Sequence, residues 1–246
     1  MSDTSTNTPG QIAARDRIIV ALDCNGDDAR RFADLLRGHA RWLKVGMTLY
    51  YSEGPAIVSE FKKLGFNIFV DLKLYDIPHQ VEGAAANIVR SGADFLTVHA
   101  SGGADMMKAA ASGIATAASE TANDAKGLAV TVVTSMDDND LEDLGIVRPM
   151  HAQVLSLAKL AQASGMSGVI SSPAEAEDLR KILGPDAPIV TPGIRPAGIG
   201  KDDQSRVSTP KSAIAQGASH LVIGRPITES ADPVKAFEDI VKEIEN

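Results

Sequence analysis

Asp71, Lys73 and Asp76 stand inside Phe69-Val70-Asp71-Leu72-Lys73-Leu74-Tyr75-Asp76-Ile77-Pro78, a stretch whose apolar residues otherwise read as a buried strand. Entered from Gly65-Phe66-Asn67 and stopped by Pro78, it fits a short parallel strand covered on both faces. Asp71 and Lys73 are two apart and therefore project to the same side of such a strand. Ionised groups in that position must be paired, or the fold loses roughly several kcal/mol for each. A plain buried salt bridge meets that requirement. The same pair can also do chemistry. An ammonium fixed in a site shielded from water stabilises developing negative charge and can donate a proton, while the carboxylate holds it in place.

The surrounding elements decide between the two readings. Apolar, β-branched runs at 17–22, 42–46, 69–77, 94–99, 128–133, 168–171, 188–191 and 219–223 predict eight strands. Helical patterns fall between them. One opens at Asp27-Asp28 with Phe32, Leu35 and Leu36 inward, and another follows Gly54-Pro55 with Ile57, Phe61 and Leu64 inward. Further helices are expected at about 81–91, after Gly102-Gly103, at about 151–164, near Pro173, and from Asp232-Pro233, an N-cap with proline at the first helical position. Eight strands alternating with helices predict a single closed (β/α)8 barrel over 17–246. Residues 1–16, rich in Ser, Thr and Asp and without an apolar run, are expected to be a disordered tail, neither signal peptide nor membrane anchor. The polar stretch 193–210 has no periodicity and reads as a lid or binding loop.

On this barrel Asp23, Lys44, Asp71, Lys73 and His99 all fall at or just past the carboxyl ends of strands one to four, where barrel enzymes keep their catalytic groups. Gly193-Ile194-Arg195 follows strand seven and Gly224-Arg225 follows strand eight. Glycine lets backbone approach a ligand and arginine offers paired donors, so the two together predict a phosphate site. The carboxylates of 137–143 lack the glycine and terminal glutamate of a calcium loop and are read as a solvated helix start. Cys24, the single cysteine, excludes an internal disulfide and reads as a small buried residue in a protein of the reducing cytoplasm. The chain has 246 residues, 44% of them hydrophobic, and a net charge of −8, which argues against a nucleic-acid surface. No apolar run reaches the roughly 20 residues of a membrane span.

Leu22-Asp23, Lys44-Val45-Gly46, Asp71-Leu72-Lys73-Leu74-Tyr75-Asp76-Ile77-Pro78, Val98-His99-Ala100, Thr191-Pro192-Gly193-Ile194-Arg195, Asp203-Gln204-Ser205-Arg206 and Ile223-Gly224-Arg225 together resemble the bacterial orotidine 5′-phosphate decarboxylases. Asp-x-Lys-x-x-Asp-Ile-Pro is the most specific part. The resemblance implies decarboxylation of orotidine 5′-monophosphate to uridine 5′-monophosphate, the last step of de novo pyrimidine synthesis, by a cofactor-free homodimer. It implies that Lys44, Asp71, Lys73 and Asp76 form an alternating charged array, with Asp76 and Ile77 reaching into the partner's site. Asp23 and Lys44 would hold the ribose hydroxyls, and Thr134 the pyrimidine. Pro192 would belong to the substrate pocket, with Arg195, Gln204, Gly224 and Arg225 gripping the phosphate. Gln80 stands where many members carry Thr, at a ribose contact made from the partner. Two other readings compete: a magnesium-dependent sugar-phosphate enzyme of the same barrel group, which shares Asp-x-Lys-x-x-Asp, and a nucleotide-phosphate-binding protein without chemistry.

Overall fold

Period-two alternation along short strands sets the architecture. The computed structural model describes residues 12–196 and 208–246. Its strands are β1 (Ile18–Ala21), β2 (Trp42–Gly46), β3 (Asn67–Leu74), β4 (Phe95–His99), β5 (Lys126–Val130), β6 (Gly168–Ile170), β7 (Ile189–Thr191) and β8 (His220–Ile223). They run in chain order around a closed parallel barrel, with β8 pairing back to β1. This is the expected (β/α)8 fold.

Inward-facing Ile19, Trp42, Phe69, Phe95, Leu128, Val130, Ile170 and Val190 form their own apolar cluster inside the barrel. Trp42 stacks on Phe95 with centroids 4.4 Å apart, and His220 meets both rings edge-on. Burial, then Arg17 and Lys126, push the His220 imidazole down to about 3, so it stays neutral in this plug. Two residues beyond Trp42, Phe69 and Phe95 come Lys44, Asp71 and Thr97. Alternation thus lifts the polar residues one layer above an apolar floor.

The outward strand faces pack under a ring of helices in a second, larger core. These are α1 (Gly26–Leu36), α2 (Met47–Glu53), α3 (Ala56–Lys63), α4 (Pro78–Arg90), α5 (Gly103–Thr121), α6 (Asp138–Asp143), α7 (Met150–Ala163), α8 (Ala176–Leu183), α9 (Pro210–Ala215), α10 (Arg225–Thr228) and α11 (Pro233–Glu245). Among the described residues no helix is long and apolar enough to cross a membrane. The expected caps form where short polar side chains precede a helix. Asp232 accepts the Lys235 N–H at 2.9 Å at the start of α11. Asp137 and Asp140 cap each other's backbone at α6, the solvated start expected for that acidic run.

Several expectations shift. Asn25, rather than the aspartates after it, caps α1, and Leu35 is 43% exposed while Ala29 and Ala33 fill its inward face. The fifth strand stops at Val130, the last residue in register with β4 and β6. Past Leu74, the third strand gives way to exposed Tyr75, Asp76 and Ile77. Ordered structure begins before Arg17: Ala14–Arg17 make a 3-10 turn, and Arg15 donates to the His39 carbonyl at 3.0 Å and pairs with Glu238. Residues 12–16, placed in the expected tail, are thus among the described residues, and residues 1–11 fall outside them.

Helices α4 and α5 approach each other closely at Gly113, where a Cβ would lie 2.3 Å from the Glu82 carbonyl oxygen. Gly113→Ala forces that contact apart and is expected to destabilise the fold by about 1–3 kcal/mol. A thermal melt reads the effect, and an unchanged midpoint would contradict it.

Candidate active site

The carboxyl ends of the strands open on a cavity of about 600 Å³. Asp23, Lys44, Asp71, Lys73, Thr134, Pro192, Arg195, Gly224 and Arg225 all line it, although they come from six strand ends separated along the chain. Its remaining wall is largely apolar, built from Phe69, Val130, Val132, Val133 and Ile170.

Four of the charged residues form a continuous alternating row. Lys44 Nζ lies 2.9 Å from Asp23 Oδ1 and 3.6 Å from Asp71 Oδ2, and Lys73 Nζ lies 2.9 and 3.0 Å from the two Asp71 oxygens. Strand register explains the row. Ala21 is matched with Lys44 and Gly46 with Asp71, so neighbouring strands deliver their last inward residues to one rim. A Cβ at Gly46 would come within 2.9 Å of Asp23 Oδ1 and 3.0 Å of Lys44 Nζ, so any side chain there would press on the tips of this row. Both lysines line the cavity, and Lys73, with its side chain 29% exposed against 8% for Lys44, is the more open of the two.

Burial opposes ionisation of Asp71. Lys44 and Lys73, with hydrogen bonds from Lys73 and the Thr97 hydroxyl, outweigh it and hold the carboxyl below its ordinary range. That interaction supports the fold above the ordinary carboxylate range and is lost as pH falls through the depressed value. The backbone of Lys73 is left-handed, with φ 51°, a conformation that costs a side-chain-bearing residue on the order of 1–2 kcal/mol. Strain of this kind persists where surrounding contacts impose it.

At the other end, Gly193 takes φ 76° and turns the chain out of β7. Arg195 is buried, its backbone N–H donating to the Ser208 carbonyl at 3.0 Å and its Nη1 to the Ile194 carbonyl at 3.0 Å. Gly224 leads β8 into α10, and Arg225 is exposed at the rim. Thr228 and Glu229 also line the cavity. Gln204 lies outside the described residues, as does most of the expected 193–210 loop.

Three predicted site residues are not brought into this cavity by their own chain. Asp76, Ile77 and Gln80 are exposed beyond β3 or on the first turn of α4, and Gln80 lines a separate surface groove with His79, Glu82 and Arg90. His99 stands edge-on to Tyr75 at 5.7 Å. Burial, then Lys73, lower its pKa against the opposing pull of Asp71. Cys24 is half-buried on the cavity wall, and burial with Asp28 and Asp23 pushes its thiol up to about 11 against Arg31. It is a poor nucleophile there. Thr97, which binds both Asp71 and the Lys73 backbone, was not legible as a site residue.

Fold and site together define a (β/α)8-barrel enzyme in which an alternating charge row and a glycine–arginine rim face one cavity. The model of the orotidine 5′-phosphate decarboxylase / HUMPS family matches residues 16–240, and the chain belongs to that family. It is 45% identical over 226 residues to an orotidine 5′-phosphate decarboxylase of Cutibacterium acnes, covering 91% of this chain and 94% of that protein. A Moorella thermoacetica protein of the same name is 46% identical over 235 residues, 94% of this chain and 93% of its own length. The crystal structure of orotidine 5′-phosphate decarboxylase from Lactobacillus acidophilus superposes with a TM-score of 0.84 at 40% identity, covering 94% of this chain and all of that one (100%).

Proposed function

We propose that this chain is a carboxy-lyase that converts orotidine 5′-monophosphate to uridine 5′-monophosphate and CO2 in pyrimidine synthesis, using its own side chains and no cofactor. The observation that carries the reading is the single cavity lined by Asp71 and Lys73 at one end and by Arg195 and Arg225 at the other. A nucleotide bound with its phosphate on the arginines and its ring toward β3 and β5 sets C6 near the Lys73 ammonium. Thr134 and the apolar wall then face the pyrimidine, and Asp23 with Lys44 faces the ribose.

Cleavage of the C6–carboxylate bond leaves the electron pair on C6, in the ring plane, where the π system delocalises it poorly. The fixed Lys73 ammonium meets that charge as it develops. It then gives its proton to C6, and the neutral amine is reprotonated from solvent. Asp71 holds the ammonium between its two oxygens, and Lys44 balances Asp71 from the other side. Phosphate binding far from C6 supplies energy to organise this arrangement. The decisive test follows substrate absorbance with and without a chelator. Turnover indifferent to chelation is expected. Loss of activity with chelator would favour a magnesium-dependent sugar-phosphate chemistry, and nucleotide binding without CO2 release would mark a binding protein.

Exposed Ile77 and Tyr75 flank Asp76 at the rim, an apolar surface suited to a second copy of the chain. In the homodimer proposed here Asp76 and Ile77 complete the partner's site. Mixing Lys73→Ala with Asp76→Ala protein under conditions of subunit exchange is then expected to restore about a quarter of native activity, because half the dimers carry one intact site. No recovery after demonstrated exchange would place Asp76 in its own subunit's site.

A further inference from the structure

Between β3 and β4 the register slips by two residues. Val70 pairs with Leu96 and Leu74 with Val98, so Thr97 alone stands opposite Asp71, Leu72 and Lys73. A mismatch of this kind leaves backbone groups on the longer strand without ladder partners. The Thr97 side chain takes up one of them. Its oxygen accepts the Lys73 backbone N–H at 2.9 Å and its hydroxyl donates to Asp71 Oδ1 at 3.0 Å. That same carboxylate oxygen is 2.9 Å from Lys73 Nζ. Thr97 is 1% exposed and is not among the residues lining the cavity.

We propose that Thr97 is a positioning residue of the reaction, one hydroxyl that fixes both the left-handed backbone from which the Lys73 ammonium projects and the carboxylate that receives it. The proposal rests on the decarboxylase reading above. Lys73 and Ala122 are the two non-glycine residues with positive φ among the described residues, and Ala122 merely ends α5. Nothing in the sequence of a lysine favours that conformation, so a contact must impose it. Thr97 supplies the contact from inside the barrel, on the alternate position above Phe95. A long flexible side chain launched from a relaxed backbone would spread its ammonium over several ångströms, and misplacement of about 1 Å can cost on the order of a hundredfold in rate.

The test compares Thr97→Val, which keeps the shape and removes the hydroxyl, with Thr97→Ser, which keeps the hydroxyl. The valine variant is expected to lose about 10- to 100-fold in kcat with KM changed by less than about threefold, and the serine variant to return within about threefold of native. Asp71 is faced by Lys44 from β2, by Lys73 on its own strand, and by Thr97 and His99 from β4, with Asp23, just past β1, beyond Lys44. Of these, only the hydroxyl bond is removed, and it favours the ionised carboxylate. The acid limb of the rate profile in Thr97→Val should therefore move to higher pH, a shift that a purely structural role would not produce. Native kcat in the valine variant overturns the proposal, as does a serine variant impaired equally with valine. Thr97→Ala against Thr97→Ser gives the same comparison if valine disturbs folding. Absence of turnover in the native chain would instead overturn the decarboxylase reading, so the two failures are distinguishable.

Discussion

Lys73→Ala is expected to bind uridine 5′-monophosphate with near-native affinity and to lose on the order of 10⁴-fold or more in kcat, because in the proposed reaction one group serves as both electrostatic stabiliser and proton donor. The proposed phosphate contacts, Arg195 and Arg225, line the same cavity from just past β7 and β8. Product affinity therefore reports that end alone. Alanine retains a Cβ, and the backbone N–H still reaches Thr97, so the strand irregularity has no reason to dissolve. Asp71 loses its closest cation but keeps Lys44 at 3.6 Å, which leaves it charged and less well held. Stopped assays at high enzyme concentration measure the residual rate, and calorimetry measures product binding. Turnover near the native level would remove Lys73 from the chemistry. A matching loss of product affinity would show that the substitution had damaged the cavity as a whole.

The site was readable where its residues break a local rule. Lysine and aspartate inside apolar strands are conspicuous because burial makes them costly; alternation puts Asp71 and Lys73 on one side, and the strand ends of a barrel bring Lys44 to the same mouth. Gly-Ile-Arg and Gly-Arg after successive strands were equally visible, since both stand at the end of a β-branched run. Residues that obey local rules stayed hidden. Threonine is an ordinary strand former, so Thr97 carried no signal. Its contacts with Asp71 and the Lys73 backbone arise at a register slip between β3 and β4, and register is a relation between distant segments. The same slip gives Lys73 its φ of 51°, which no nearby glycine or turn residue announced. Helices α2, α9 and α10 were missed because at four to seven residues they are too short to show a period. Leu35 was placed inward by hydrophobicity when the tight fit of α1 against the barrel calls for Ala29 and Ala33.

The proposed separation of binding from chemistry along the cavity leads to the second large effect. Arg225→Ala is expected to lower kcat/KM for the nucleotide by about 3–5 kcal/mol, corresponding to two charge-assisted hydrogen bonds to phosphate. At about 1.4 kcal/mol per decade this is roughly a hundred- to several-thousand-fold. Arg225 sits at the mouth of β8, exposed at the rim, while Lys73 lies across the barrel on β3. A loss of rate there cannot come from direct contact with C6. It must arise because binding energy from the phosphate is spent on organising the reacting end, which predicts a fall in kcat as well as a rise in KM. Orotidine, which lacks the phosphate, provides the control. Native and Arg225→Ala proteins should process it equally slowly, since neither can use the missing group. An equal loss on orotidine would mean that Arg225 acts on the cavity and not on the phosphate, and a change confined to salt sensitivity would reduce it to a distant charge. A selective loss on the phosphorylated substrate ties the glycine–arginine rim to the charge row through the ligand itself.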